Sequence, residues 1–207
     1  MKPVAAYKWV HQLPIEDLDR EKIVIDRAIS DGLVYSINVD ASESFFTAQI
    51  EAAKDIQSCW FTRWRIAGAP NTADDLANII RPKLISLGRE ITAHLVDTDS
   101  AHKDNINHSF QPTVDCLSID QKNNIVEALQ AITTYPDRLT QIKHSKRLRI
   151  GTTGDYAPFS MASVDGGFEG IDIDLARDLA DALDSTPMFV QTSWPTLMQD
   201  LAAGQFD

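Results

Sequence analysis

The fold of this chain is indicated most clearly by residues 7–21, which read Tyr7-Lys8-Trp9-Val10-His11-Gln12-Leu13-Pro14-Ile15-Glu16-Asp17-Leu18-Asp19-Arg20-Glu21. Pro14 ends one helical run, and its fixed φ suits the first turn of the next helix. Carboxylates crowd that turn, where the helix dipole favours negative charge. Arg20 follows Asp17 by three residues and Glu16 by four, so the spacing predicts that these carboxylates hold its guanidinium. Taken alone, the pattern is typical of a helix start with a salt-bridged arginine, preceded by a lysine whose stem packs on apolar neighbours.

The composition is that of a globular protein with one or two domains: 207 residues, of which 43% are hydrophobic and 24% charged. The net charge of −11 argues against a nucleic acid or an anionic membrane as partner, because both require a basic face. An anionic substrate would have to be met by a local cluster of Lys and Arg. No apolar run approaches the roughly 18 residues that a membrane span needs. No signal peptide is visible, and we expect the natural protein to continue upstream.

The first half of the chain shows helical periodicity. Apolar positions from Ile15 to Ile29 fit one helix, with Gly32 as its predicted stop. Residues 40–43 have the form of a capping box before the most regular helix, which Gly68 ends. Gln57 interrupts the apolar stripe of that helix. A buried amide needs partners, so Gln57 is either a satisfied core side chain or a ligand-binding one.

Two further helices are predicted after residue 70. Residues 72–75 cap the first of them, and Arg81 adjoins its apolar face. Pro82 and Gly88 lie inside its pattern and predict a kink. Residues 118–121 cap the last helix, which is expected to reach Ile132.

The cysteines and histidines carry little information. Cys59 lies on the long helix and Cys116 in a loop, so one disulfide is permitted but not required, and structural filling is the expected role of Cys59. His102 and His108 fall in the polar stretch from Asp97 to Thr113 and lack the tight spacing of a metal site. The sequence therefore predicts no metal.

The pattern changes after residue 143. Residues 144–147 read as a basic linker, and a strand–helix–strand–helix order follows, with strands at 148–151 and 188–190, helices at 171–183 and 194–203, and a third strand beginning at 206. This order predicts a parallel sheet, whose ligands bind at the carboxyl ends of the strands. Tyr156 and Trp194 each follow a strand, where they could stack on a planar ligand.

Residues 1–140 resemble the exported (gamma) subclass of the all-α chorismate mutases. The resemblance is carried by Val4-Ala5-Ala6-Tyr7-Lys8-Trp9, Leu13-Pro14-Ile15-Glu16-Asp17 and Arg20, then by Phe46, Gln49-Ile50-Glu51-Ala52-Ala53-Lys54 and Ile56-Gln57, and finally by the region of Arg81-Pro82. It implies conversion of chorismate to prephenate, a pericyclic rearrangement that needs neither a nucleophile nor a cofactor.

The resemblance also implies the roles of the site residues. Lys8 and Gln57 would donate to the ether oxygen of chorismate, Arg20 and Arg81 would bind its carboxylates, and Asp17 and Glu21 would meet its hydroxyl. Two departures stand out. Many members carry Ser or Thr where this chain has Ala53, and the family has one more arginine about three turns before Lys8, upstream of Met1.

Residues 148–207 resemble the type II periplasmic solute-binding fold, and among its members the exported cyclohexadienyl dehydratases. The matching segments are Gly151-Thr152-Thr153-Gly154-Asp155-Tyr156 with Pro158-Phe159, Gly170-Ile171-Asp172-Ile173-Asp174-Leu175-Ala176, and Thr192-Ser193-Trp194-Pro195 with Leu197-Met198. We expect about a quarter of such a domain to be present, truncated at its end.

The combined interpretation is an all-α chorismate mutase domain (1–143), a linker (144–147) and the first part of an α/β prephenate or arogenate dehydratase-like domain (148–207). The substrates would be chorismate and prephenate, and the location periplasmic or secreted. Two alternatives stay open: an amino-acid-binding receptor carrying a non-catalytic helical domain, and an all-α structural domain whose basic residues are only salt-bridged. The oligomeric state is also open, with a homodimer among the arrangements.

Overall fold

The computed structural model describes residues 1–95 and 114–207, which divide into two compact units. The first unit comprises Met1–Gly32 and Val39–Thr133, and the second comprises Leu33–Asn38 and Thr134–Asp207. The second unit thus takes the corner between two helices of the first half of the chain together with the C-terminal third. No helix within the described ranges is long and apolar enough to cross a membrane.

The first unit is helical, as the sequence predicted. Its elements are α1 (Lys2–Val10), α2 (Leu18–Val34, whose last two residues belong to the second unit), α3 (Val39–Ala67), a π-helical turn (Leu76–Ile80), α4 (Arg81–Leu95) and α5 (Ile119–Gln130). The 29-residue α3 is the central element, and both α1 and α5 pack against it. A small core forms where Val4 of α1 meets Leu76 and Ile80 of the π-helical turn, with Tyr7 packed beside it.

Three predicted helix boundaries are confirmed. Asp75 caps the π-helical turn, because its Oδ1 accepts the backbone N–H groups of Ala77 (2.7 Å) and Asn78 (3.0 Å). Ser118 caps α5 through a 3.3 Å bond from the backbone N–H of Gln121. Gly68 follows the end of α3 with a φ of +88°, a conformation that favours glycine.

Two boundaries of α2 differ from the prediction. The helix begins at Leu18 rather than in the region of Ile15, and the Asp17 carboxylate caps it by accepting the backbone N–H of Arg20 at 3.1 Å. The predicted stop at Gly32 is wrong. The helix continues to Val34, and the left-handed residue after its end is Ser36, with a φ of +59°, and not a glycine.

The predicted kink near Pro82 corresponds to a change of helix type. The N–H of Ile80 donates to Asp75 O at 3.1 Å, a bond that spans five residues, and α4 starts immediately afterwards. Pro82, which has no N–H to donate, is the second residue of α4 and directly follows this change of helix type. Gly88 is accommodated inside α4.

The two cysteines form a disulfide, so the expectation that Cys59 only fills space is wrong. Cys59 of α3 is bonded to Cys116, 57 residues later, with a Cα–Cα distance of 5.7 Å. Nearby polar contacts join the same two segments. The Asp55 carboxylate accepts the backbone N–H of Ser118 at 3.1 Å, and Arg63 lies 3.7 Å from an oxygen of Asp115.

The second unit contains the predicted parallel sheet. Its elements are α6 (Arg138–Ser145), β1 (Arg147–Thr152), β2 (Asp155–Tyr156), β3 (Ser160–Ala162), β4 (Phe168–Glu169), α7 (Ile171–Ala182), β5 (Thr186–Gln191) and α8 (Leu197–Ala202). Strands β1 and β5 pair in parallel, with α7 as the crossover helix, and β2, β3 and β4 form a small antiparallel sheet. Ile142, Leu148 and Ala180 form a core cluster.

The ends of this unit depart from the prediction in detail. Residues 144–147 comprise the last two residues of α6, Lys146 in a left-handed conformation, and the first residue of β1. Helix α8 begins at Leu197 rather than Trp194. Phe206 and Asp207 form no strand, although the Asp207 N–H donates to Arg149 O at 2.9 Å and its carboxylate forms a buried ion pair with Arg149 at 2.6 Å.

Candidate active site

A cavity of about 420 Å3 lies within the helical unit, lined by α1, α2, α3, the π-helical turn and α4. The sequence assigned seven residues of this unit to a substrate site, and the structure brings all seven to the cavity wall: Lys8, Asp17, Arg20, Glu21, Ala53, Gln57 and Arg81. Most of the remaining wall is aliphatic. Charged groups act more strongly in such surroundings than in water, because the local dielectric constant is lower.

Lys8 projects from the last turn of α1. Its Nζ donates to Ile15 O at 2.5 Å, which leaves two of the three ammonium hydrogens for other acceptors. Partial burial lowers the pKa of Lys8 below its ordinary value; the carboxylates of Asp17 and Glu21 oppose that change, and the guanidinium of Arg81 adds to it.

Gln57 is 4% exposed and lies one turn after Ala53 on the buried stripe of α3. Its Nε2 donates to Ala53 O at 2.9 Å, whereas its Oε1 is buried without a hydrogen-bond partner among the described residues. The amide nitrogen carries two hydrogens, so one donor is still available. An amide with an unpaired oxygen and a spare donor is not a satisfied core glutamine, which favours the ligand-binding interpretation.

Arg20 and Arg81 are half-buried, and neither guanidinium has a carboxylate partner within the described parts of the chain. The predicted pairing of Arg20 with Asp17 and Glu16 is therefore wrong. Asp17 accepts the backbone N–H of Arg20, and Glu16 lies 3.5 Å from the ammonium of Lys54. Helix capping outcompetes the side-chain pair because it satisfies a backbone donor that would otherwise be unpaired. Both guanidinium forks are consequently available to a ligand carboxylate.

The acidic residues of the wall are already held in place. Glu21 accepts the backbone N–H of Asp17 at 3.2 Å through Oε1 and an ammonium hydrogen of Lys54 at 3.2 Å through Oε2. These two contacts fix the Glu21 carboxylate on the cavity wall.

Two basic residues of the wall were missed by the sequence analysis. Arg27 follows Arg20 by seven residues, two turns of α2, and that spacing was sufficient to place it on the same face. Lys54 contacts carboxylates of Glu16, Glu21 and Glu51, of which only the last is a neighbour on its own helix. No pattern in the sequence predicts the contacts that Lys54 makes beyond its own helix.

The cavity differs in charge from the protein around it. Five basic side chains line it (Lys8, Arg20, Arg27, Lys54 and Arg81) against three acidic ones (Asp17, Glu21 and Asp31). The wall thus carries an excess of two positive charges in a chain whose net charge is −11. This is the local basic cluster that an anionic substrate requires. Within the described ranges, no group of His, Cys, Asp and Glu side chains could hold a metal ion.

The second unit brings together its two predicted aromatic residues. Tyr156 and Trp194 follow β1 and β5, and their ring centroids lie 5.9 Å apart in an edge-on arrangement. Phe159 stacks on Tyr156 at 5.3 Å, and Trp194 Nε1 donates to an oxygen of Asp155 at 3.1 Å. Tyr156 is 52% and Trp194 58% exposed, so this pair is accessible to a planar ligand on the parts that Phe159 does not cover.

Comparisons with known proteins find similarity to two different kinds of protein. Residues 148–207 match the bacterial extracellular solute-binding proteins, family 3. Cyclohexadienyl dehydratase from Pseudomonas aeruginosa is 44% identical over 80 residues, which cover 39% of this chain and 30% of that protein. A secreted chorismate mutase from Mycolicibacterium smegmatis is 34% identical over 89 residues, which cover 42% of this chain and 49% of that protein.

A solved structure supports the helical fold. The secreted chorismate mutase from Yersinia pestis aligns with a TM-score of 0.58 at 23% identity and covers 65% of this chain and 90% of that one. The chain therefore joins a segment similar to secreted chorismate mutases to a segment similar to cyclohexadienyl dehydratase, as the sequence predicted. It spans less than half the length of the curated relatives described here.

Proposed function

We propose that the helical unit converts chorismate to prephenate. The observation that carries the proposal is the cavity wall. Three guanidinium groups there (Arg20, Arg27 and Arg81) have no carboxylate partner among the described residues, and together with the ammonium groups of Lys8 and Lys54 they outnumber the acidic side chains of the wall by two. Chorismate carries two carboxylates, so the charges match. The similarity to secreted chorismate mutases supports the same reaction.

Substrate binding falls to the arginines. Arg20 on α2 and Arg81 at the start of α4 come from different helices, so each can grip one carboxylate with a planar fork. Holding both carboxylates restricts the substrate to the conformer in which the bonds that form and break are aligned. Because the rearrangement has a single reactant, the gain comes from holding this conformer, and not from the translational and rotational entropy that a two-molecule reaction would save.

Stabilisation of the transition state falls to Lys8 and Gln57. Negative charge develops on the ether oxygen as its bond to carbon breaks, and preorganised donors lower the energy of that charge. Lys8 has two spare hydrogens and Gln57 one, as described above. Asp17 and Glu21 would accept from the hydroxyl. Ala53 offers no side-chain hydrogen bond where many members of the family have a hydroxyl.

For the second unit we propose the beginning of a dehydratase domain that acts on prephenate or arogenate. The similarity to cyclohexadienyl dehydratase supports this assignment, and the exposed pair Tyr156 and Trp194 offers a surface for a ring-shaped ligand. The two activities would then be consecutive. We further propose that the dehydratase-like segment begins near residues 144–147, with the preceding helix α6 packed in the same compact unit.

We also propose that the protein works in the periplasm or outside the cell. The disulfide between Cys59 and Cys116 is of a kind that persists in oxidising compartments. The relationship to secreted chorismate mutases points the same way.

The test is a chorismate-consumption assay on the natural protein, including whatever sequence flanks residues 1–207. Saturable turnover that is lost in Arg20→Ala and Arg81→Ala would support the proposal. Consumption no faster than the uncatalysed rearrangement, in a preparation whose circular dichroism shows folded helices, would overturn it.

The similarity to solute-binding proteins favours one competing function, an amino-acid receptor with a non-catalytic helical domain. Calorimetric titration with the common amino acids separates the two. Micromolar binding of an amino acid without chorismate turnover would establish the receptor instead of the enzyme.

A further inference from the structure

Lys54 is enclosed by carboxylates at the edge of the cavity. Its ammonium lies 2.6 Å from Glu51, 3.2 Å from Glu21 and 3.5 Å from Glu16, and its side chain is only 18% exposed. The three acidic residues come from two different parts of the chain: Glu51 lies on α3, Glu16 just before α2, and Glu21 in the first turn of α2.

These contacts leave Lys54 no donor for a ligand. An ammonium has three hydrogens, and each of the three carboxylates can take one. The hydrogen bonds that Lys54 donates to Glu51 and then to Glu21 raise the pKa of Lys54 to about 12, against the opposing effect of burial. The ammonium is therefore charged throughout the physiological pH range, although its hydrogens are taken by the three carboxylates.

Of the three carboxylates, Glu21 is the one whose charge most needs to be compensated by Lys54. It lines the cavity and its side chain is 19% exposed, so an ionised Glu21 would repel an anionic ligand at close range. Glu16 and Glu51 are more exposed, at 63% and 47%, and water screens them. Asp17 fixes the other oxygen of Glu21 through its backbone N–H.

We propose that Lys54 is a positioning residue that acts through Glu21: it cancels the charge of this carboxylate and fixes its position, so that a dianionic substrate can enter while Glu21 still accepts a hydrogen bond. This inference rests on the proposed function, because it is the two carboxylates of the substrate that make an uncompensated Glu21 harmful.

The central experiment compares Lys54→Gln and Lys54→Arg in the natural protein. At a separation of about 10 Å and an effective dielectric constant of about 20, one added negative charge weakens binding of a carboxylate about fifteenfold. We therefore expect KM for chorismate to rise about fifteenfold in Lys54→Gln, with kcat within about threefold of the wild-type value. Lys54→Arg should keep KM near that of the wild type. Lys22→Gln is the matched control, since it removes the same charge from the exposed side of α2.

A second substitution separates the indirect role from a direct one. Glu21→Gln in the Lys54→Gln background removes the unpaired charge, so KM should fall back to that of Glu21→Gln alone. The KM of the Lys54→Gln protein should also decrease as salt is raised from about 0.02 to 0.5 M, because salt screens the repulsion. A KM that stays high in the double variant, or does not respond to salt, would mean that Lys54 binds the substrate itself or acts only on folding, and would overturn the inference.

Thermal unfolding of each variant shows whether it folds. If Lys54→Gln does not fold, the comparison of the double variant with Glu21→Gln still decides the matter, because neither contains a buried unpaired carboxylate. Failure of the proposed reaction is a different outcome. If the wild-type protein does not consume chorismate, the affinities of the same variants for prephenate, also a dicarboxylate, test Lys54 by calorimetry, and equal affinities would overturn its assigned role.

Discussion

Replacement of Gln57 by glutamate tests the proposed chemistry most directly, because it exchanges a neutral donor for a group that donates only when protonated. Gln57 is 4% exposed, and its Nε2 lies 2.9 Å from Ala53 O. An ionised carboxylate at this position would face that carbonyl oxygen and, by the proposal, the ether oxygen of the substrate. Both are electron-rich, so ionisation removes a stabilising contact and adds repulsion.

The expected loss is large at neutral pH. Removing one donor from a developing oxyanion costs about 10²–10³ in kcat, roughly 2.7–4 kcal/mol. Burial and the Ala53 carbonyl raise the pKa of the introduced carboxyl above the ordinary value of about 4.3, whereas the ammonium of Lys8 lowers it. Below neutrality the protonated fraction rises about tenfold per pH unit until that pKa is reached. The kcat of Gln57→Glu should therefore increase as the pH falls from 8 to 5.

The measurement is a pH–rate profile of chorismate turnover for three proteins. The wild type should be nearly flat between about pH 5 and 8, since none of the side chains assigned to the reaction has an ordinary pKa in that range. Gln57→Met, which has neither a donor nor a charge, should be slow and equally flat. A flat profile at the wild-type rate for Gln57→Glu would mean that this side chain does not touch the reacting oxygen, and the assignment of the site would fail with it.

Three further predictions concern other groups. Arg20→Ala should lower kcat/KM in a folded protein by a factor that corresponds to about 2–5 kcal/mol, the range for removing one partner of a charge pair. A loss of less than threefold would contradict carboxylate binding. The kcat/KM for chorismate should decline at alkaline pH with a midpoint below 10.5, because burial lowers the pKa of the donating Lys8 ammonium in the unliganded protein; a kcat/KM that persists above that pH would contradict its role. The disulfide closes a loop of 57 residues, worth about 4 kcal/mol of chain entropy, so dithiothreitol should lower the melting temperature of the helical unit by about 8–16 °C. The variant in which both Cys59 and Cys116 are serine should melt at the same temperature as the dithiothreitol-treated wild type, with or without dithiothreitol.

The sequence was informative where the physics is local. A helix cap needs one side chain and a backbone N–H two or three residues away, so Asp75 and Ser118 could be predicted from the sequence alone. The apolar stripe of α3 likewise predicted that Gln57 lies on the buried face, because helical periodicity determines the direction in which each side chain points. Assigning Arg81 to the site depended on the family resemblance, because no sequence spacing predicts that α4 lies near α2.

The sequence was less informative where partners come from distant positions. The Cys59–Cys116 bond joins residues that are 57 positions apart in the sequence, and the contact between Lys54 and Glu21 joins residues that are 33 positions apart. Local rules also compete with one another. The spacing of Asp17 and Arg20 suits both an ion pair and a helix cap, and the cap forms because an unpaired backbone N–H costs more than an exposed ion pair contributes.

The arrangement around α2 explains how an acidic protein can offer a site for a dianion. The first turn of α2 carries carboxylates because they stabilise the positive end of the helix dipole, yet the same turn forms part of the cavity wall. Each of its carboxylates near the cavity has a neutralising contact: Asp17 caps the helix, and Glu16 and Glu21 share Lys54. The guanidinium of Arg20 is thereby left without a carboxylate partner among the described residues and is free to bind a ligand. Folding and binding thus require the same acidic turn, and Lys54 is the residue that makes the two requirements compatible.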